Sequence, residues 1–374
     1  MSVAQLFGFH IVWCLLDYPL GLMSQFRFGS QTLASVGLSL LVVVGAFLAI
    51  RPRFSEGRLR LDNKHLLTPV EVQAIPDGVV PVVLGRDLGD TEREFKTQLL
   101  RLIMERSGVD FAFGLTAEDL SQDAAVDALA SGQLVGEKNP HAITIGVYGA
   151  GQALNDRLQV IPIPITGGVL GLRVGWTHDN RLKRLEAVDN LQDLRALTLL
   201  QGHGWSELDI FDAAGLKTFE TAEDNLFRLV DQQRVDLLLR GVAEIEDEQA
   251  VVRRFSDQLV LDPHLLIAYP FAGFFYVSPD NKKLADAVKV GFEKILRDGS
   301  YQQLLESQLY TSWLRERLKL KQRRVIFIPN PEARGVLDDV YPRDWIVPWG
   351  LLADGKIQTG ERLCAVPGLA TLCN

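Results

Sequence analysis

The sequence predicts an α/β protein of two lobes, carried behind a membrane-inserting segment near its amino terminus. Three observations lead there. Residues 32–50 (TLASVGLSLLVVVGAFLAI) hold no charge. From residue 79 onward, short apolar strand patterns alternate with helical ones, the pattern of parallel α/β units. That alternation breaks twice, at stretches marked by proline and glycine, as a chain crossing between lobes would break it.

The chain of 374 residues has room for more than one core, and its 47% hydrophobic and 8% aromatic content is that of a globular protein. A net charge of −8, with the acids spread along the chain, argues against a nucleic-acid partner, which needs a basic face. Cys14, Cys364 and Cys373 show no CxxC spacing and no neighbouring histidine, so no structural zinc site is expected. Cys364 and Cys373 either close a small disulfide loop in an oxidising compartment or stand as two thiols in a tail.

An uncharged run as long as 32–50 is enough to cross a bilayer, and Thr32, Ser35 and Ser39 give it no polar face of the kind a core helix carries. Residues 1–22 are apolar but interrupted by His10 and Asp17; Met23-Ser24-Gln25-Phe26-Arg27 then reads as the start of a signal sequence or anchor. Residues 1–31 are therefore read as an extension with translation starting at Met23, the alternative being a two-helix membrane hairpin. No small-x-small cleavage site closes the run, which favours an uncleaved anchor. Arg51, Arg53, Arg58 and Arg60 follow it directly, whereas the positive-inside rule prefers such charges on the cytoplasmic side.

Residues 51–78 read as a linker. A buried strand is expected at 79–84 (VVPVVL), a helix at 91–106 ending at Gly108, a strand at 109–113 and a helix at 117–130 capped by Thr116. The third strand is 142–148 (AITIGVY). At 160–165 (VIPIPI) alternate prolines exclude the middle of a sheet, and 170–177 (LGLRVGWT) resumes as a strand after Gly167-Gly168. A second unit opens near Asn190, with strands at 196–200, 235–239 and 258–261 and helices at 206–214 and 221–232. An apolar strand pair at 265–277 turns around Pro270; helices at 282–297 and 301–318 and a strand at 324–328 follow. The pattern assigns 79–160 plus 265–328 to lobe 1 and 178–262 to lobe 2, with 329–374 an irregular tail packed on the body.

No HExxH, GxSxG or GxxxxGK[ST] signature occurs, so no catalytic residue and no cofactor is assigned. Tyr148-Gly149-Ala150-Gly151 after a strand has the start of a dinucleotide fingerprint, but Leu154 stands where a third small residue belongs, so a glycine turn is the better reading. Gln201-Gly202-His203-Gly204-Trp205 is more informative. A strand ends, glycines turn the backbone and a helix starts, which directs free N–H groups at an anion. His203 and Trp205 supply a polar tip and a stacking face there, or else a helix cap and a core residue. Arg157, Arg173 and Arg240 stand at strand ends or crossings; Arg240 closes the apolar run LLLR, where a surface strand end is the plain alternative.

Over about residues 79–320 the order of these elements resembles the extracellular solute-binding proteins of the amino-acid type (family 3), in a poorly characterised bacterial branch. Arg157 stands at the spacing of the family's ligand-carboxylate arginine, and Gln201-Gly202-His203-Gly204 at its "QGTT" segment. Arg234-Val235-Asp236-Leu237 resembles "GrvDavv", and Asp298-Gly299-Ser300-Tyr301 its "dGty" helix junction. Arg240-Gly241 replace the acid that holds an amino acid's ammonium group, and the threonine turn gives way to 149–155. The resemblance implies a two-lobed periplasmic-binding-protein-like (type II) fold, no enzymatic activity, and a cleft for a small anionic ligand. The expected contacts are Tyr148, Gly149, Gly151, Gln152 and Arg157 from one lobe and Gln201, Gly202, His203, Trp205 and Arg240 from the other. It also implies a periplasmic location, anchored to the inner membrane or secreted, and a transporter or sensor membrane protein as partner. A sensory domain acting through a protein partner is the alternative.

Overall fold

Apolar runs with few polar interruptions become buried strands here, and they sort into two sheets. The computed structural model describes residues 66–86, 92–205, 207–331, 335 and 337–373, all within one unit, 60–374. The expected membrane segment at 32–50 and the extension before it lie outside the described residues. No helix among the described residues is long and apolar enough to cross a membrane.

In chain order the strands are β1 (Leu66–Leu67), β2 (Val80–Arg86), β3 (Phe111–Asp119), β4 (Ile145–Gly149), β5 (Gln159–Ile161), β6 (Leu172–His178) and β7 (Thr198–Gly202). They continue as β8 (Lys217–Thr221), β9 (Leu237–Gly241), β10 (Leu259–Leu261), β11 (Leu265–Ala268), β12 (Gly273–Val277) and β13 (Arg324–Phe327). The first sheet runs β1-β3-β2-β4-β12-β5, with β12 antiparallel to both neighbours. The second runs β13-β11-β6-β9-β7-β8, with β10 paired to β6. β7, β8 and β9 are mutually parallel, and β6 is antiparallel to β9 and β11.

Helices cover the first sheet where capping chemistry permits. Phe95–Ser107 stops at Gly108, whose φ of 86° continues the chain left-handed. Lys282–Asp298 starts at an Asn281 cap and crosses it at Gly291, where a Cβ would stand 2.1 Å from the Ile103 carbonyl oxygen. Only a residue without a side chain lets the two backbones approach so closely.

Several expectations need correcting. The helix placed at 117–130 is Gln122–Ala130, capped by Ser121; Thr116 serves β3 instead, accepting from Arg86 N at 3.2 Å. Helix 301–318 is two helices, Ser300–Gln308 and Ser312–Leu318, because Thr311 caps the second. The helix expected at 221–232 reduces to Leu226–Asp231, and the polar edge strand β8 (KTFET) precedes it. β11 and β13 belong to the second sheet, not to the first lobe, because the run LLIA hydrogen-bonds to β6 and to β13.

The chain consequently passes between the sheets three times: through 162–171, through 269–272, and between helices Ser300–Gln308 and Ser312–Leu318. Arg323 holds the last arrival in place. Its buried guanidinium donates to the carbonyls of Leu318 (2.6 Å), Asp262 (2.6 Å) and Leu265 (2.7 Å), while burial pulls its pKa down to about 10. One hydrophobic cluster is continuous across both lobes, from Val82 and Phe292 through Ile163 and Ile165 to Leu200 and Leu238. The tail is more regular than expected, with helices Trp349–Ala353, Gly360–Cys364 and Ala370–Cys373, and Cys364 is bonded to Cys373. It seats on the first crossing, where Gly167 O accepts from Ile346 N (2.9 Å) and Val347 N (3.1 Å).

Candidate ligand site between the lobes

β4 and β7 each end in glycines and turn straight into a short helix, so both bring backbone to the carboxyl edge of their sheet. These two edges face one another across a cavity of about 370 Å³. The first lobe contributes Gln122, Gly149, Ala150, Gly151 and Leu154; the second contributes Gly204, Trp205 and Glu207. Gly204 has a φ of 76°, and a Cβ at Gly202 would overlap the Trp205 indole at 2.2 Å, so the ring lies against bare backbone. Trp205 Nε1 donates to Glu223 at 3.2 Å.

Behind this wall is a charged network. Arg173, 2% exposed, reaches Glu207 at 2.7 Å and Glu244 at 3.1 Å, and its guanidinium carbon stands 5.6 Å from the ring centres of both Tyr269 and Phe271. Arg240 pairs with Glu244 at 3.1 Å and with Glu248, and lies 4.6 Å from the Trp205 ring centre. Glu248 also accepts from Trp176 Nε1 at 2.8 Å. Burial opposes the charge on Arg173, but Tyr269, Glu207, Glu244 and Glu248 more than offset this and hold its pKa above the ordinary value. Burial likewise pushes the Glu248 carboxyl and the Tyr269 hydroxyl upward. Two guanidinium groups thus face three carboxylates, and the network has no cation to spare.

The expected site residues divide accordingly. Gly149, Gly151 and Trp205 line the cavity. Tyr148 is buried, stacked at a tilt on Tyr276 with ring centres 5.8 Å apart. Gln152 is turned to Asp156 (2.8 Å) and Arg157 to Asp127 (2.6 Å). Gln201 is fully buried in β7, and Gly202 supports the indole. His203, its side chain 82% exposed, meets Glu220 at 3.1 Å. Arg240 does not present a free charge, because Glu244 and Glu248 occupy it; the expectation of an anionic ligand built on Arg157 and Arg240 fails for that reason. The helix after Trp205 runs only Glu207–Ala213, and its first turn carries its own acids, Glu207 and Asp209, which use the positive helix end.

Gln122, Leu154 and Glu207 are the lining residues that sequence reasoning missed. One signal pointed to Glu207: an arginine inside the apolar strand LGLRVGWT must find a carboxylate. Among the described residues, no group of three His, Cys, Asp or Glu is placed to hold a metal ion.

No family model matches this chain, and no curated protein matches it. Among solved structures it is similar to a mutant of ArgBP from T. maritima, at 15% identity and a TM-score of 0.41, over 66% of this chain and 100% of that one. It is also similar to an amino acid ABC transporter substrate-binding protein from Streptococcus pneumoniae bound to L-arginine, at 14% identity and a TM-score of 0.43, over 65% and 98%. Substrate binding domain 2 of Lactococcus lactis GlnP, in an open conformation, matches at 14% identity and a TM-score of 0.42, over 64% and 98%. Two descriptions among the similar structures, one of them that of the L-arginine complex above, name a substrate-binding protein of an amino acid ABC transporter. Likeness at this level bears on neither ligand nor activity.

Proposed function

We propose that this chain is a solute-binding module whose two lobes close over a small polar ligand, in the service of transport or sensing. One observation carries the proposal: glycine turns at the carboxyl ends of β4 and β7, from different lobes, line the same cavity. The glycine backbone of those turns and the Trp205 side chain border the space that a ligand would enter. Glu207 is the charged group that borders the space, and the arginines behind it are occupied. A neutral or cationic ligand rich in hydrogen-bond donors fits this lining better than an anion. The Cys364–Cys373 bond supports an oxidising compartment, in keeping with a periplasmic or secreted protein attached through 32–50.

The test is a thermal-shift screen of the full chain against neutral, cationic and anionic small solutes, repeated on Trp205→Ala. A ligand that binds the native state raises Tm by mass action. The expected result is a stabilising neutral or cationic compound whose effect disappears in Trp205→Ala. A screen in which nothing stabilises, or in which Trp205→Ala responds like the parent, counts against the proposal.

A further inference from the structure

A second cavity, of about 490 Å³, lies within the second lobe between β10 and the helices Ile245–Phe255 and Ser312–Leu318, and shares no lining residue with the cleft. Its apolar wall includes the indoles of Trp176 and Trp313, the former buried to 5% exposure. Around that wall stand three cations, Arg253, Arg317 and Lys319, against one carboxylate, Glu316. Arg317 lies 6.0 Å from the Trp313 ring centre, and none of the three cations is ion-paired among the described residues. This is unusual in a chain of net charge −8, whose cleft-side arginines are all neutralised. Lys319 is also held at a φ of 46°, at the end of helix Ser312–Leu318, where glycine is the usual occupant. This exposed lysine, in a backbone conformation that L side chains rarely adopt, is among the residues lining the cavity.

We propose that this cavity is a second binding site, for an aromatic carboxylate. Its ring would pack on Trp176 and Trp313, and its carboxylate would be met by Arg253, Arg317 and Lys319. Aromatic faces accept a flat apolar body, and cations not already paired can form charge-assisted hydrogen bonds with a carboxylate. The placement is amphipathic, with an apolar wall and a cationic rim, and suits that class over neutral or cationic aromatics.

Calorimetric titration of the full chain with naphthaleneacetate, naphthaleneacetamide and naphthylmethylamine tests it. The acetate should bind, the neutral amide about tenfold more weakly, and the cationic amine not measurably. Arg253→Gln combined with Lys319→Gly should lower acetate affinity about tenfold and leave the amide unchanged. Lys319→Gly alone should not lower Tm, since it relieves a left-handed backbone, so lost binding there reports lost charge and not lost fold. Trp313→Ala should abolish both complexes, whereas Trp205→Ala, in the cleft, should alter neither. Equal affinity for all three probes, no binding of any, or acetate binding insensitive to the double substitution would overturn the proposal. So would loss of acetate binding in Trp205→Ala, which would place the probe in the cleft.

Discussion

Arg173 Nη2 stands 2.7 Å from Glu207 Oε1, joining the start of a fully buried strand to the first turn of the helix that borders the cleft. The pair ties cleft geometry to fold stability, because Arg173 is buried from water and Glu207 nearly so. Replacing Arg173 with Leu takes the buried cation away from Glu207 and leaves Glu244 to Arg240 alone. Urea unfolding should show a loss of about 3–5 kcal/mol. Adding Glu207→Gln to that variant should recover part of the loss; an unaltered midpoint in Arg173→Leu would contradict the network.

Glu248 predicts a pH dependence. Burial raises its carboxyl above the ordinary 4.5, with Arg240 and Trp176 pulling it back only in part. A carboxyl whose folded pKa exceeds its unfolded one holds more protons when folded, so native stability falls as pH rises through the interval between the two. Melting curves across the range just above 4.5 should therefore decline with pH for the parent relative to Glu248→Gln. Parallel curves for the two proteins would show that the carboxyl does not titrate in this way.

Two glycines in helices should respond oppositely to alanine. At Gly291 a methyl group meets the Ile103 carbonyl oxygen at 2.1 Å, so Gly291→Ala must push two helices apart, at about 1–3 kcal/mol. At Gly350 no atom lies within 4 Å of the added carbon. Gly350→Ala should stabilise helix Trp349–Ala353 by about 0.4–1 kcal/mol through the unfolded chain. Chemical denaturation of both variants checks the contrast in one experiment.

The disulfide closes a loop between residues nine apart in sequence. Chain-entropy reasoning gives such a bond about 2–3 kcal/mol. Reduction, or the Cys364→Ser/Cys373→Ser pair, should lower Tm and expose the helices Gly360–Cys364 and Ala370–Cys373 to hydrogen exchange before the sheets. Identical exchange in oxidised and reduced protein would remove the bond from the list of tail supports.

Much of this architecture is visible in residue order, and the exceptions have physical causes. Runs such as VVPVVL and LLLR announce buried strands because few other structures hide so many branched chains. Gly149, Gly151, Gly202 and Gly204 announce the turns that meet across the cleft. KTFET gives no such signal, since a polar edge strand resembles a loop in composition. Nor did sequence reveal that β11 leaves the first lobe, because an apolar segment fits either sheet equally and pairing decides. The arginines misled for a related reason. A guanidinium at a strand end marks the neighbourhood of a cleft, but only three dimensions show that Glu244, just before the next helix, and Glu248, on it, reach it first.

The order of strands in the first sheet also governs how the protein must be made. β12 lies between β4 and β5, yet it is translated only after β6 to β11 of the other lobe. A chain emerging amino end first therefore carries β4 and β5 with open edges, and the second sheet waits longer still for β13. Neither lobe can complete itself co-translationally. The nascent polypeptide stays unfinished, with strand edges open, until nearly all of it has left the ribosome.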